Sequence, residues 1–134
     1  MKSAVLIGLF LLTIQNEMPK NNPNGIWEAE NSTSKFNLQL SGKDLKVQIV
    51  EGSNPRFLKY EVALKNLEEV NSYQGAGYFV AKFQNGKECK FDTEWQIVVV
   101  SPDRILGLTT NVVPDPETCE VKEKSHSQIS LKKQ

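Results

Sequence analysis

Apolar and polar side chains alternate with a period of two along most of the chain beyond residue 24. Phe36, Leu38 and Leu40 alternate with Asn37 and Gln39, and Leu45, Val47 and Ile49 alternate with Lys46 and Gln48. The pattern recurs through Leu58, Tyr60, Val62 and Leu64, through Phe79, Ala81 and Phe83, and through Cys89, Phe91, Thr93, Trp95, Ile97 and Val99. Successive side chains of a strand point to opposite faces, so each run has one apolar face and one mostly polar face. That is the pattern of half-buried antiparallel strands.

Turn-forming residues divide the runs: Ser41-Gly42-Lys43-Asp44, Glu51-Gly52-Ser53-Asn54-Pro55, Asn85-Gly86, Ser101-Pro102-Asp103 and Pro114-Asp115-Pro116. Asn85-Gly86 predicts a hairpin, because both residue types tolerate positive φ. Residues 62–70 have a weak helical spacing through Leu64 and Leu67, but the stretch is too short and too poorly capped to hold a helix. Eight strands are therefore predicted, near 25–31, 34–41, 44–51, 56–66, 74–85, 88–100, 103–112 and 120–132. Short connections make sequence neighbours into spatial neighbours. A meander with one apolar face removes both bare edges by closing on itself, which predicts an all-β, eight-stranded up-and-down barrel. A two-sheet sandwich is the alternative packing.

The start of the chain has a different character. One Lys precedes an eleven-residue apolar run, Ala4 to Ile14, and polarity returns at Gln15. This is the layout of a secretory signal peptide over residues 1–16, although no A-x-A cleavage site follows it. The run is too short for a stable membrane span, which takes about 20 residues. Residues 17–24 hold two Pro and three Asn and read as a flexible lead-in to a single barrel domain over 25–134. Export would place the mature protein in the periplasm or outside the cell.

Charge and cysteine content then narrow the function. Sixteen basic residues balance sixteen acidic ones, and loss of residues 1–16 takes Lys2 with it. So balanced a chain has no field to hold it on nucleic acid. One His and two Cys make no zinc cluster, and no cofactor is indicated. Cys89 opens the sixth strand and Cys119 sits just before the eighth. These strands run in the same direction, so the two cysteines share one rim, within reach of a disulfide. An oxidising compartment would keep the bond formed.

Gly25-Ile26-Trp27 resembles the first-strand motif of the calycin barrels, the lipocalins and avidins, in which the Trp plugs one barrel end. A longer stretch is similar to a pattern in small exported bacterial proteins of unassigned function. It consists of Gly86-Lys87-Glu88-Cys89, the Trp95 strand, Ser101-Pro102, Ile105-Leu106-Gly107 and Cys119. Gly75-Ala76-Gly77-Tyr78 is similar to a Ser-Gly-x-x-Tyr loop of the periplasmic lysozyme inhibitors. These resemblances imply an exported barrel with a Cys89–Cys119 disulfide and leave its activity open.

No catalytic constellation is evident. His126 sits among Ser, Lys and Gln on the polar face of the last strand. Glu68-Glu69 and Asp115/Glu117 are close only in sequence, which does not make a convergent acid–base pair. Gly75-Ala76-Gly77 precedes a strand, not a helix, and makes no phosphate cradle. Asn31-Ser32-Thr33 matches a glycosylation sequon and reads equally as a turn. The chain is therefore expected to be non-enzymatic.

The inward positions carry the main expectation. Trp27, Phe36, Leu38, Leu45, Val47, Leu58, Tyr60, Phe79, Phe83, Phe91, Trp95, Ile97, Ile129 and Leu131 face inward by parity, with Thr93, Thr109, Ser125 and Ser127 among them. Apolar walls with a few convergent polar groups describe a small-ligand site. The expected site holds an apolar or amphipathic ligand between Tyr60, Phe91 and Trp95, oriented by Thr93, Thr109 and Ser125. The same residues would also suit a filled core. A second expectation is a protein-interaction or inhibitor module acting through rim loops, with Val112-Val113-Pro114 at its centre.

Overall fold

A computed structural model describes residues 20–134. The expected signal peptide lies outside the described residues. Eight strands follow one another in chain order: β1 (Gly25–Ala29), β2 (Lys35–Ser41), β3 (Asp44–Ile49), β4 (Phe57–Asn66), β5 (Ser72–Lys82), β6 (Glu88–Ser101), β7 (Arg104–Pro114) and β8 (Val121–Lys133). Each pairs antiparallel with its neighbour, and β1 pairs with β8, so the meander closes into a barrel. The barrel predicted from the alternation is the fold, and the sandwich is excluded.

The alternation is converted into burial almost residue by residue along β6. Cys89, Phe91, Thr93, Trp95, Ile97 and Val99 are buried, and every residue between them is exposed. The deep half of the barrel is filled by Leu38, Leu45, Val47, Val62, Leu64, Ile97, Ile105 and Leu131, all nearly or fully buried. Eight strands enclose an interior that side chains of this size can fill.

The two rims differ. One is sealed by the segment that precedes β1. Pro23 is buried, and its carbonyl accepts the Trp27 indole N–H at 2.9 Å. Asn24 Oδ1 accepts the Leu40 N–H on β2 at 2.6 Å, while Asn21 donates through Nδ2 to the Val99 carbonyl on β6 at 2.9 Å. These bonds carry residues 21–24 across the barrel end from β2 to β6. Asn71, at φ 67°, offers its Oδ1 to the Asn21 N–H at 2.7 Å. Asparagine is one of the few residue types that visits this left-handed region readily.

Glycine shapes one wall. Gly75 and Gly77 lie opposite Leu64 and Val62 of β4, in the interior of β5. The Gly75-Ala76-Gly77-Tyr78 stretch is strand, as expected for the run over 74–85, and not a loop of the kind the lysozyme inhibitors have. A Cβ on Gly77 would sit 1.9 Å from the Glu61 carbonyl oxygen, and one on Gly75 would sit 2.0 Å from that of Ala63. Only residues without a side chain allow β4 and β5 to coil this tightly.

Candidate functional site

The rim opposite the lead-in is open. A cup of about 420 Å³ sits there, inside the barrel mouth. Its floor is an aromatic cluster supplied by four strands. Phe36 from β2 meets Tyr60 and Trp95 edge-on, with ring centroids 5.3 and 5.2 Å away. Phe57 of β4 meets Tyr60 and Phe79 edge-on, each at 5.3 Å, and Tyr60 stacks on Phe79 at 5.3 Å. Edge-on and offset-stacked contacts are the arrangements that ring quadrupoles favour. Above the floor, the wall turns polar through Asn31, Ser34, Asn54, Thr109, Asn111, Ser127 and Gln128.

Tyr60 and Trp95 form the polar centre of the floor. The Trp95 indole N–H donates to Tyr60 Oη at 2.9 Å, a buried bond between β6 and β4. Burial pushes the Tyr60 phenol above its ordinary value, and the Trp95 and Thr93 side chains oppose that only in part. Burial raises the Tyr73 phenol as well, opposed by Asn66. The folded chain therefore holds these protons at pH values where the unfolded chain has released them. Their contribution to stability is intact below pH 10.0 and is lost as pH climbs through the folded-state values. An absorbance titration should show the phenolate band of these two residues only above the ordinary range, together with alkaline unfolding. Ordinary titration of Tyr60 and Tyr73 in a protein that stays folded would contradict this.

The structure separates the expected site residues into three groups. Tyr60, Trp95 and Thr109 border the cup together. Phe91 and Thr93 are buried but lie behind it. Phe91 packs against Phe79 at 5.5 Å, and Thr93 Oγ1 has no partner in hydrogen-bonding geometry. Ser125 is exposed and is not part of the cup. Ser127, one step of the alternation away, borders it instead.

Ser125 departs from expectation for a local reason. Pairing of β6 with β7 stops at Trp95–Thr109. At the next position, Thr110 Oγ1 accepts the Glu94 backbone N–H at 3.0 Å, so a side chain replaces the strand ladder. Beyond this point β7 and β8 pair only with each other and run on as a two-stranded arm. Both faces of β8 are exposed from Val121 to His126. Parity in that stretch no longer means inside and outside.

The disulfide holds the arm. Cys89 and Cys119 are bonded, with Cα atoms 5.4 Å apart. Asn85 Nδ2 donates to the Pro116 carbonyl at 3.1 Å, and Lys87 Nζ donates to the Glu117 carbonyl. Asp115 Oδ1 accepts the Glu117 N–H at 2.9 Å, which with other local bonds holds its carboxyl below the usual range. Asp115 is thus committed to its turn.

Two bordering residues escaped the sequence reading because of a bulge. Register shifts between Phe57 and Lys59 of β4. Phe57 therefore turns onto the aromatic floor, and Leu58, expected inside, is 46% exposed. Arg56, just before the strand, comes to the mouth of the cup.

Comparison with protein-family models, curated proteins and solved structures finds no match to this chain. Among the described residues, no group of three or more His, Cys, Asp or Glu is placed to hold a metal ion, and no helix is long and apolar enough to cross a membrane. The one histidine, His126, is exposed on the arm. The cup is the concave site whose chemistry converges.

Proposed function

We propose that this is an exported, non-enzymatic binding protein that takes one small apolar or amphipathic ligand into the cup. The observation that carries the reading is the open mouth above the Phe36–Phe57–Tyr60–Phe79–Trp95 floor, ringed by amides and hydroxyls. Its volume of about 420 Å³ falls within the usual range for small-molecule pockets. Apolar atoms would leave water on the floor, while the rim would orient any polar end. The signal-peptide layout of residues 1–16 and the Cys89–Cys119 bond support an oxidising compartment, periplasmic or extracellular.

Thr109→Phe provides the test, because position 109 is half-buried at the wall and phenylalanine suits a strand. Wild type is expected to bind a neutral hydrophobic dye and to enhance its emission. The variant is expected to fold normally and to lose about tenfold in affinity as the added ring fills the cup. Equal dye binding by both proteins, or none by wild type, would overturn the reading.

A protein-interaction role is favoured by one observation. Val113 and Val121 are 46% and 47% exposed on the arm that the disulfide holds in place. Exposed apolar groups on a fixed arm suit recognition. A partner recovered from periplasmic or culture extract by wild type and lost with Val113→Asp would support that role. Equal recovery by both would remove this site.

A further inference from the structure

We infer that the ligand of the cup carries an anionic head, and that the Arg56 guanidinium receives it. The inference rests on the cup reading above and adds the chemistry of one end of the ligand. Among the described residues, Arg56 is the only charged one that borders the cup. None of the four ion pairs among the described residues includes it.

The backbone of Arg56 is nevertheless fixed. Its N–H donates to Asn54 Oδ1 at 3.1 Å, and its carbonyl accepts the Lys82 N–H at 2.9 Å. Asn54 is fixed in turn, since its Nδ2 donates to Ser34 Oγ at 2.9 Å. The rim thus pins the main chain at position 56 and leaves the cationic head uncommitted.

A guanidinium has five donors and no acceptor, and its planar fork matches a carboxylate or a phosphate. The next residue in the chain, Phe57, lies on the apolar floor against Tyr60 and Phe79. One short segment thereby presents a positive charge at the mouth and an aromatic surface below it. An amphiphile fits this arrangement in one direction, with its tail on Phe57, Tyr60 and Phe79 and its anion at Arg56. Among the described residues, no carboxylate borders the cup to compete for the guanidinium or to repel the ligand's head.

The test compares decanoate, decyl phosphate and decanol, which share a tail and differ in the head. Binding to wild type, Arg56→Gln and Arg56→Lys is measured by calorimetric titration at low and high salt. Wild type is expected to prefer decanoate to decanol by about fivefold at low salt, because the pair is exposed, and the preference should narrow as salt rises. Arg56→Gln should abolish the preference of decanoate over decanol, and Arg56→Lys should retain part of it. Tighter binding of decyl phosphate than of decanoate would assign a phosphate head, and the reverse order a carboxylate. Equal affinity of wild type for decanoate and decanol, or a preference that survives Arg56→Gln, would overturn the headgroup assignment and leave the cup reading standing. If no amphiphile binds, the cup reading fails as well.

Discussion

Replacing Gly77 with alanine is expected to cost about 3 kcal/mol of stability, a large share of what a domain of this size has to lose. The added methyl would sit 1.9 Å from the Glu61 carbonyl oxygen and 2.6 Å from the Val62 Cα. Both atoms belong to backbone that is fixed by the β4–β5 ladder, so no side-chain rotation relieves the clash. The wall must open, and with it the alignment of Tyr60 and Phe79, which face each other across the same two strands. Gln74→Ala, exposed on the same strand, should change stability by less than about 0.5 kcal/mol. Urea unfolding of the two variants and wild type checks the contrast. A Gly77→Ala protein as stable as wild type would show that β4 and β5 do not approach this closely.

Removing the disulfide is the other large effect. Cys89 and Cys119 are 30 residues apart, and closing a loop of that length stabilises by about 3 kcal/mol in the chain-entropy picture. The Cys89→Ser/Cys119→Ser double variant should lose that much. The loss should also have a location. Beyond Thr109 the arm has no ladder to β6, so its docking falls to the disulfide, the Thr110 hydroxyl, the two bonds from Asn85 and Lys87 and the packing of Val112 and Cys119 on the core. Amide exchange should therefore accelerate over residues 110–124 more than in β2 to β5. Thr110, Asn111, Val112 and Pro114 border the cup, so ligand affinity should fall with arm order. Uniform acceleration throughout the barrel, with affinity unchanged, would show that the bond acts only on the unfolded state.

The fold was legible in the sequence because its strands are half-buried. The 89–99 run alternates without a break, and its register cannot slip by one residue without turning Phe91, Trp95 and Ile97 out to solvent. The disulfide followed from strand direction, which puts Cys89 and Cys119 on one rim, together with the export signal. The site was legible only in part. Tyr60, Trp95 and Thr109 were reachable by parity, since each lies where the ladder is intact. Phe57 and Arg56 were not, because the bulge before Lys59 is set by how β4 meets β5 and leaves no mark in the alternation. Ser125 failed for the complementary reason, since its strand keeps the alternation where the barrel wall has ended. The strand holding Gly75 and Gly77 was legible, but not the role of its glycines. Two glycines spaced by two in a strand mark a wall that must coil tightly.

The central claim is that the barrel mouth, and not its outer wall, receives a ligand. Chemical-shift mapping of the isotope-labelled protein during titration with decanol tests it most directly. Saturable shifts are expected at Phe57, Tyr60, Phe79, Thr109 and the Trp95 indole N–H, whose bond to Tyr60 is part of the cup floor. Shifts confined instead to Val98, Val100, Leu106 and Leu108, the exposed apolar side chains of β6 and β7, would contradict it.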